Sequence, residues 1–189
     1  MIRDLEHNVN RFAGVSNLPY NIIQYLFANE NIWKLIKYAS PDALSQPALT
    51  AQEKAALIWK GEDNQENFRV YLTPMQENIQ YTQSVIIRLY LLSGRPRNDI
   101  LSTFTYAMEV LCQTKLGMLE NGVSRMDLLF ELIMGELMGK QVDGIGEIFF
   151  NADSAANSQC KIQLNSENNR NYMGYAISLG VHYSDVKSQ

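Results

Sequence analysis

The hydrophobic pattern of this chain changes period along its length, and the clearest stretch comes near its end. From Asn171 to Ser184 the sequence NYMGYAISLGVHYS sets large side chains at odd positions and small or polar ones at even positions. Because successive strand side chains point to opposite faces, Met173, Tyr175, Ile177, Leu179, Val181 and Tyr183 are predicted to line a core face. Gly174, Ala176, Ser178 and Gly180 would then form a nearly flat face, which a helix, a second sheet or a neighbouring subunit can approach closely.

Two earlier segments alternate in the same way. Ser84 to Leu92 puts Val85, Ile87, Leu89 and Leu91 on one face and Arg88 and Tyr90 on the other. Thr103 to Cys112 separates Phe104, Tyr106, Met108, Val110 and Cys112 from Thr103, Thr105, Ala107, Glu109 and Leu111. The intervening Ser93-Gly94-Arg95-Pro96-Arg97-Asn98 reads as a turn, so the two strands are expected to pair antiparallel. Shorter strands are predicted at Phe68 to Leu72, Glu147 to Phe150 and Cys160 to Leu164.

Helical spacing dominates elsewhere. Pro19 suits the first turn of a helix carrying Ile22, Ile23, Leu26 and Phe27, and a second helix carries Ile32, Trp33, Leu35, Ile36 and Tyr38 up to Ser40-Pro41. Thr50 and Glu53 have the spacing of a capping box, predicting a helix through Trp59 that stops at Gly61. The longest helix is expected after Ser124, a good N-cap, with Asp127 in its first turn and Met126, Leu129, Phe130, Ile133 and Leu137 as its apolar stripe. The fold class that follows is α+β: an antiparallel sheet with helices packed on one face, preceded by an N-terminal helical segment. The organisation expected is a helical segment over 1–61 and an α+β body over 62–189.

Composition narrows the function classes. The chain has 189 residues, enough for one domain with a substantial core and a small appendage, and 46% are hydrophobic against 19% charged. A lightly charged surface suits a protein partly covered by partners. The net charge of −4 provides no overall attraction to nucleic acid or anionic membrane. No apolar run reaches the roughly 20 residues of a membrane-spanning helix, and the first ten residues lack the core of a signal peptide. The chain therefore reads as soluble and made in the cytoplasm. Two cysteines, Cys112 and Cys160, give no disulfide framework and read as small buried hydrophobes.

Candidate chemistry is sparse. His7 and His182 are the only histidines, 175 residues apart, and His182 lies on the small-residue face of the last strand with no acid or cysteine at a ligand-like offset. Gly139, Gly144 and Gly146 lie between a helix and a strand, the reverse of a phosphate-cradling loop. Asp127 and Glu131 share a helix face, with Glu136, Asp143 and Glu147 beyond, so a metal-dependent hydrolase is the enzymatic alternative. A capped helix with a solvated acidic edge explains the same residues. No cofactor and no metal site is expected.

An ordered set of segments carries a resemblance: a strand ending LYLL, the PRN turn, the strand TFTYAMEVLC, the helix SRMDLLFELI, the segment VDGIGEIFF and the strand NYMGYAISLGVHY. Over roughly residues 66 to 184 this resembles the neck and tail-completion proteins of tailed bacteriophages, in particular the tail-terminator type. The leading segment, with KLIKYASPDAL, looks like that of some phage connector proteins, so a head-to-tail adaptor or stopper role stands beside the terminator one. The resemblance implies a non-enzymatic virion protein, assembled in the host cytoplasm. Its partners would be further copies of itself in a ring, commonly a hexamer, with the tail tube on one side and connector proteins on the other. DNA would pass through the lumen without specific binding, and no membrane is involved. Subunits of such a ring meet head to tail, and Gly174, Ala176, Ser178 and Gly180, with Arg95 and Arg97, are the candidate interface residues. A third reading is a small intracellular adaptor whose N-terminal helices hold a partner.

Overall fold

The computed structural model describes residues 15–62, 67–74, 85–96, 101–142, 146–150, 160–165 and 171–184. Helices α1 (Leu18–Tyr25), α2 (Glu30–Lys37) and α3 (Ala51–Ala56) come first, followed by strands β1 (Val70–Tyr71), β2 (Val85–Pro96) and β3 (Leu101–Gln113). Helix α4 (Arg125–Leu137) then leads to β4 (Gln141–Val142), β5 (Gly146–Phe150), β6 (Cys160–Asn165) and β7 (Asn171–Ser184). The strands form one seven-stranded sheet in the order β1-β2-β3-β7-β5-β4, with β6 also paired to β7. The α+β class holds, and every pairing is antiparallel except that of the two-residue β1 with β2.

Local chemistry sets the helix ends, at Pro19, Thr50/Glu53 and Ser124 as the sequence suggested and at Asn29 in addition. Pro19 sits in the first turn of α1, where its missing N–H costs no hydrogen bond. Asn29 caps α2 by accepting from the Asn31 N–H, Thr50 and Glu53 complete the capping box of α3, and Ser124 accepts from the Asp127 N–H. Helix α3 ends three residues sooner than its pattern predicts. Ile58 instead bridges Val70, and the Trp59 N–H donates to the Val70 carbonyl at 2.9 Å, so sheet pairing takes over the end of the helical run.

The central hairpin is longer than expected. Ser93 to Pro96 does not turn; it continues β2, with Ser93 opposite Thr105 and Pro96 opposite Ser102. A register shift between Leu91 and Ser93 accommodates one extra residue, and this bulge lets a Gly- and Pro-containing stretch stay in the ladder. Burial along this face ends just before the bulge: Leu91 is 46% exposed, whereas Val85, Ile87 and Leu89 of the same face are buried.

One apolar core lies between the helices and the sheet. Phe104, Tyr106, Met108, Val110 and Cys112 of β3 face it beside Ile177, Leu179 and Val181 of β7, and Met126, Leu129, Ile133 and Leu137 of α4 close it. Ile22, Ile23, Trp33 and Leu35 of the N-terminal helices belong to the same cluster, so the leading segment and the body share a core. Trp33 anchors its corner by donating from Nε1 to the Leu26 carbonyl at 2.8 Å, with the Phe27 ring edge-on at 4.7 Å. A second, smaller cluster on the opposite face joins Tyr71, Ile86, Leu111 and Tyr172, with Trp59 and Phe68 packed on it.

Candidate functional site

The alternation of β7 places its residues as read. Leu111 stands opposite Gly174, Ala107 opposite Ser178 and Thr105 opposite Gly180, so the small residues share the outer sheet face. The room they leave is used within the chain. A Cβ on Gly180 would sit 2.4 Å from the Phe149 ring, and one on Gly174 would lie 2.1 Å from the Val110 carbonyl oxygen and 2.8 Å from Leu111 Cδ2. Phe149 reaches over Gly180 from β5 and stacks on His182, ring centroids 4.4 Å apart. His182 Nδ1 lies 3.2 Å from the Thr103 hydroxyl, so this imidazole is part of the sheet's own packing. Ser178 is buried and Ala176 half-buried.

On the same face Arg88 and Glu109 are cross-strand partners, with Nη2 to Oε2 at 2.5 Å, and Tyr90 donates to Glu109 Oε1 at 2.9 Å. Burial first, then this bond, raises the Tyr90 phenol pKa. Arg95 is exposed near the end of β2, and Arg97 lies outside the described residues, as does His7.

The acidic helix edge resolves into separate contacts. Asp127 accepts from the Tyr175 hydroxyl at 2.6 Å, a bond that raises the phenol's pKa, with burial adding to it. Tyr175 also packs on Phe130, ring centroids 4.5 Å apart, which ties β7 to α4. Glu136 accepts from the Asn29 side chain at 2.8 Å. Glu131 is exposed one turn beyond Asp127, Glu147 is exposed on β5, and Asp143 lies outside the described residues. Among the described residues no group of three or more His, Cys, Asp or Glu is placed to hold a metal ion.

The residue that sequence reasoning passed over is Arg125. It opens α4 and is fully buried, with Nε donating to the Leu116 carbonyl at 2.9 Å, and its two terminal nitrogens reaching Leu35, Tyr38, Ala39 and Ser40 carbonyls at 2.5 to 3.4 Å. Four of these carbonyls lie at and after the C-terminal turn of α2, where unpaired oxygens concentrate partial negative charge. The guanidinium thus neutralises a helix end instead of a carboxylate. Its only sequence sign is an arginine beside Met126 at the start of an apolar-striped helix.

Arg125, Asp127, Glu136 and Glu109 are each engaged within the chain, and the arrangement defines an α+β scaffold of one sheet with helices packed on it. The chain belongs to the YomW family, whose model matches residues 29–181. That family is phage-derived and Bacillus prophage-like, in keeping with a protein of phage origin. No curated protein matches the chain. No helix among the described residues is long and apolar enough to cross a membrane.

Proposed function

We propose that this protein is a non-enzymatic structural component of a phage particle, acting at the neck, where it assembles as a ring that joins or closes the tail. Phage-family membership supplies the setting. The observation that carries the reading within that setting is how the polar groups are spent: Arg125 on a helix end, Asp127 on Tyr175, Glu136 on Asn29 and Glu109 on Arg88 and Tyr90. A scaffold that uses its charges to fix its own shape presents a constant surface to neighbours, as an assembled ring requires. Its partners are copies of itself, the tail tube and the connector, and its place is the virion neck. The tail-terminator role fits the body, and the connector-like leading helices keep the adaptor or stopper role as the nearest variant.

Electron microscopy of the purified protein, alone and mixed with tail tubes or connectors, tests this. Closed rings, or decoration of one tube end, support it. A monomer that joins neither structure overturns it. Calorimetry with magnesium and manganese tests the enzymatic alternative in parallel: binding heat that disappears in an Asp127→Ala/Glu131→Ala variant would favour a hydrolase and count against a purely structural role.

A further inference from the structure

The oxygens around Arg125 match one chemical group donor for donor. A guanidinium on an alkyl stem carries five N–H donors in a planar fork, and here each has its own carbonyl: Nε donates to Leu116, one terminal nitrogen to Leu35 and Tyr38, and the other to Ala39 and Ser40. All five acceptors are main-chain oxygens, so a buried positive charge is met by peptide dipoles alone. Four of them gather at the end of α2, where the helix leaves its last carbonyls without intrahelical partners.

Bonds that do not involve the guanidinium hold these oxygens in place. On the α2 side the Tyr38 N–H donates to the Lys34 carbonyl at 3.0 Å, the Ala43 N–H to the Ser40 carbonyl at 3.2 Å and the Glu120 N–H to the Pro41 carbonyl at 3.0 Å. On the other side the Gly117 N–H donates to the Thr114 carbonyl at 3.1 Å, and the main-chain N–H of Arg125 itself to the Gly117 carbonyl at 2.8 Å. The Leu35 and Leu116 side chains are buried in the common core, which fixes both walls further. An acceptor set tied down in this way is preorganised, and loses little freedom when a cation occupies it.

Other cations fit it less well. A hard metal ion draws its oxygens onto a sphere at about 2.3–2.6 Å, and an ammonium brings three donors to five oxygens. We infer that the junction of α2 with the start of α4 is a binding site for monosubstituted guanidinium ions, filled from within the chain by Arg125, and that its specificity survives cutting the covalent stem. The leading helices are thereby docked on the body as a ligand is docked in its site, through one recognised group.

Arg125→Ala removes every atom beyond Cβ, and N-ethylguanidinium replaces them atom for atom. Thermal melting by circular dichroism follows the variant and the wild type as N-ethylguanidinium, guanidinium or ethylammonium chloride is added at low millimolar concentration. The variant should melt below the wild type, and its midpoint should climb with N-ethylguanidinium, as for any ligand that binds only the folded chain, while the wild-type midpoint should not climb. Guanidinium lacks the two stem carbons and should need about tenfold more for the same rise; ethylammonium should produce none. If the variant is unfolded without a cation, the same titration is read as the return of its helical signal. A variant that responds to no cation, or equally to ethylammonium and N-ethylguanidinium, overturns the inference. A second measurement needs no variant: in the wild type, the terminal N–H protons of Arg125 should give separate, slowly exchanging magnetic resonance signals, because each is bonded to a fixed carbonyl. One averaged signal, exchanging with solvent as fast as that of the exposed Arg95, overturns it as well.

Discussion

Arg125 donates from a terminal guanidinium nitrogen to the Tyr38 carbonyl at 2.6 Å, across 87 residues of sequence. With its companion bonds to Leu35, Ala39 and Ser40, this joins the start of α4 to the end of α2 and so fixes the leading helices against the sheet layer. Each buried carbonyl that loses its donor costs about 1–3 kcal/mol. Arg125→Met should therefore lower stability by about 3–5 kcal/mol, and Arg125→Lys by somewhat less, since an ammonium keeps the charge but not the planar fork. Urea unfolding monitored by circular dichroism measures both. Deleting residues 1–60 removes four of the five acceptors at once and strips the helices from a shared core, so the remnant is expected to be unfolded or aggregated.

The two glycines of the outer face predict a graded response. A Cβ at position 174 meets the backbone oxygen of Val110 at 2.1 Å, which only a strand shift relieves, whereas at 180 it meets the far end of the Phe149 ring at 2.4 Å. Overpacking of this kind costs about 1–3 kcal/mol, with the rigid contact at the upper end. Gly174→Ala should thus destabilise more than Gly180→Ala. Combining Gly180→Ala with Phe149→Leu should recover part of the loss, and no second-site change on a side chain should rescue Gly174→Ala. Denaturation midpoints of the single and double variants give the coupling directly.

What the sequence revealed, and what it concealed, follows from how local each determinant is. The alternation of β7, the Thr50/Glu53 box and the Ser124 cap were legible because a strand face or a helix cap is decided by residues within a few positions of one another. The SGRPRN stretch read as a turn because Gly and Pro usually punctuate, yet the β3 ladder and a bulge at Leu92 hold its first four residues, Ser93 to Pro96, extended. The flatness of Gly180 suggested a neighbour from outside, and Phe149 of the same chain fills the space. Arg125 was illegible for the same reason: its acceptors belong to a helix end that sequence spacing does not bring near it. The exposed Leu91 likewise escaped, since alternation assigned it to the core and a local pattern does not say where along a strand burial ends.

Cys112 is buried on the core face of β3, and burial pushes its thiol up to about 11 despite the opposing effect of nearby Arg125. The thiolate is the reactive species, so this side chain should be inert at neutral pH. In a Cys160→Ser background, a thiol-exchange reagent should give no reaction with the native protein and one full equivalent after unfolding in guanidinium. Rapid labelling under native conditions would show that the helical layer opens readily from the sheet.

Glu30 and Lys54 predict a specific acid response. Glu30 accepts from the Leu49 N–H at 2.5 Å and pairs with Lys54 at 2.6 Å, while Lys54 also donates to the Phe27 carbonyl at 3.0 Å. Burial by itself raises the Glu30 pKa, but the Lys54 and Leu49 hydrogen bonds and the charges of Lys54 and Lys34 outweigh it, so the net shift is downward from 4.5. A carboxyl held lower in the folded than in the unfolded state contributes stability that is fully present above its unfolded pKa and is lost as pH falls through the folded value. The Glu30 side chain is 31% exposed, so its contribution is about 1 kcal/mol or less after solvent screening. Glu30→Gln should therefore be less stable than the wild type at pH 7, and the gap should begin to narrow near pH 4.5 and close once the pH has fallen through the lower folded-state value, where both carry a neutral side chain. Asp42 and Glu53, also lowered by their hydrogen bonds, steepen the acid response of both proteins alike and cancel in the comparison. Paired urea titrations at pH 7, 5, 4 and 3 measure that difference, and a gap that stays constant across the series would mean the Lys54 contact stabilises by shape instead of charge.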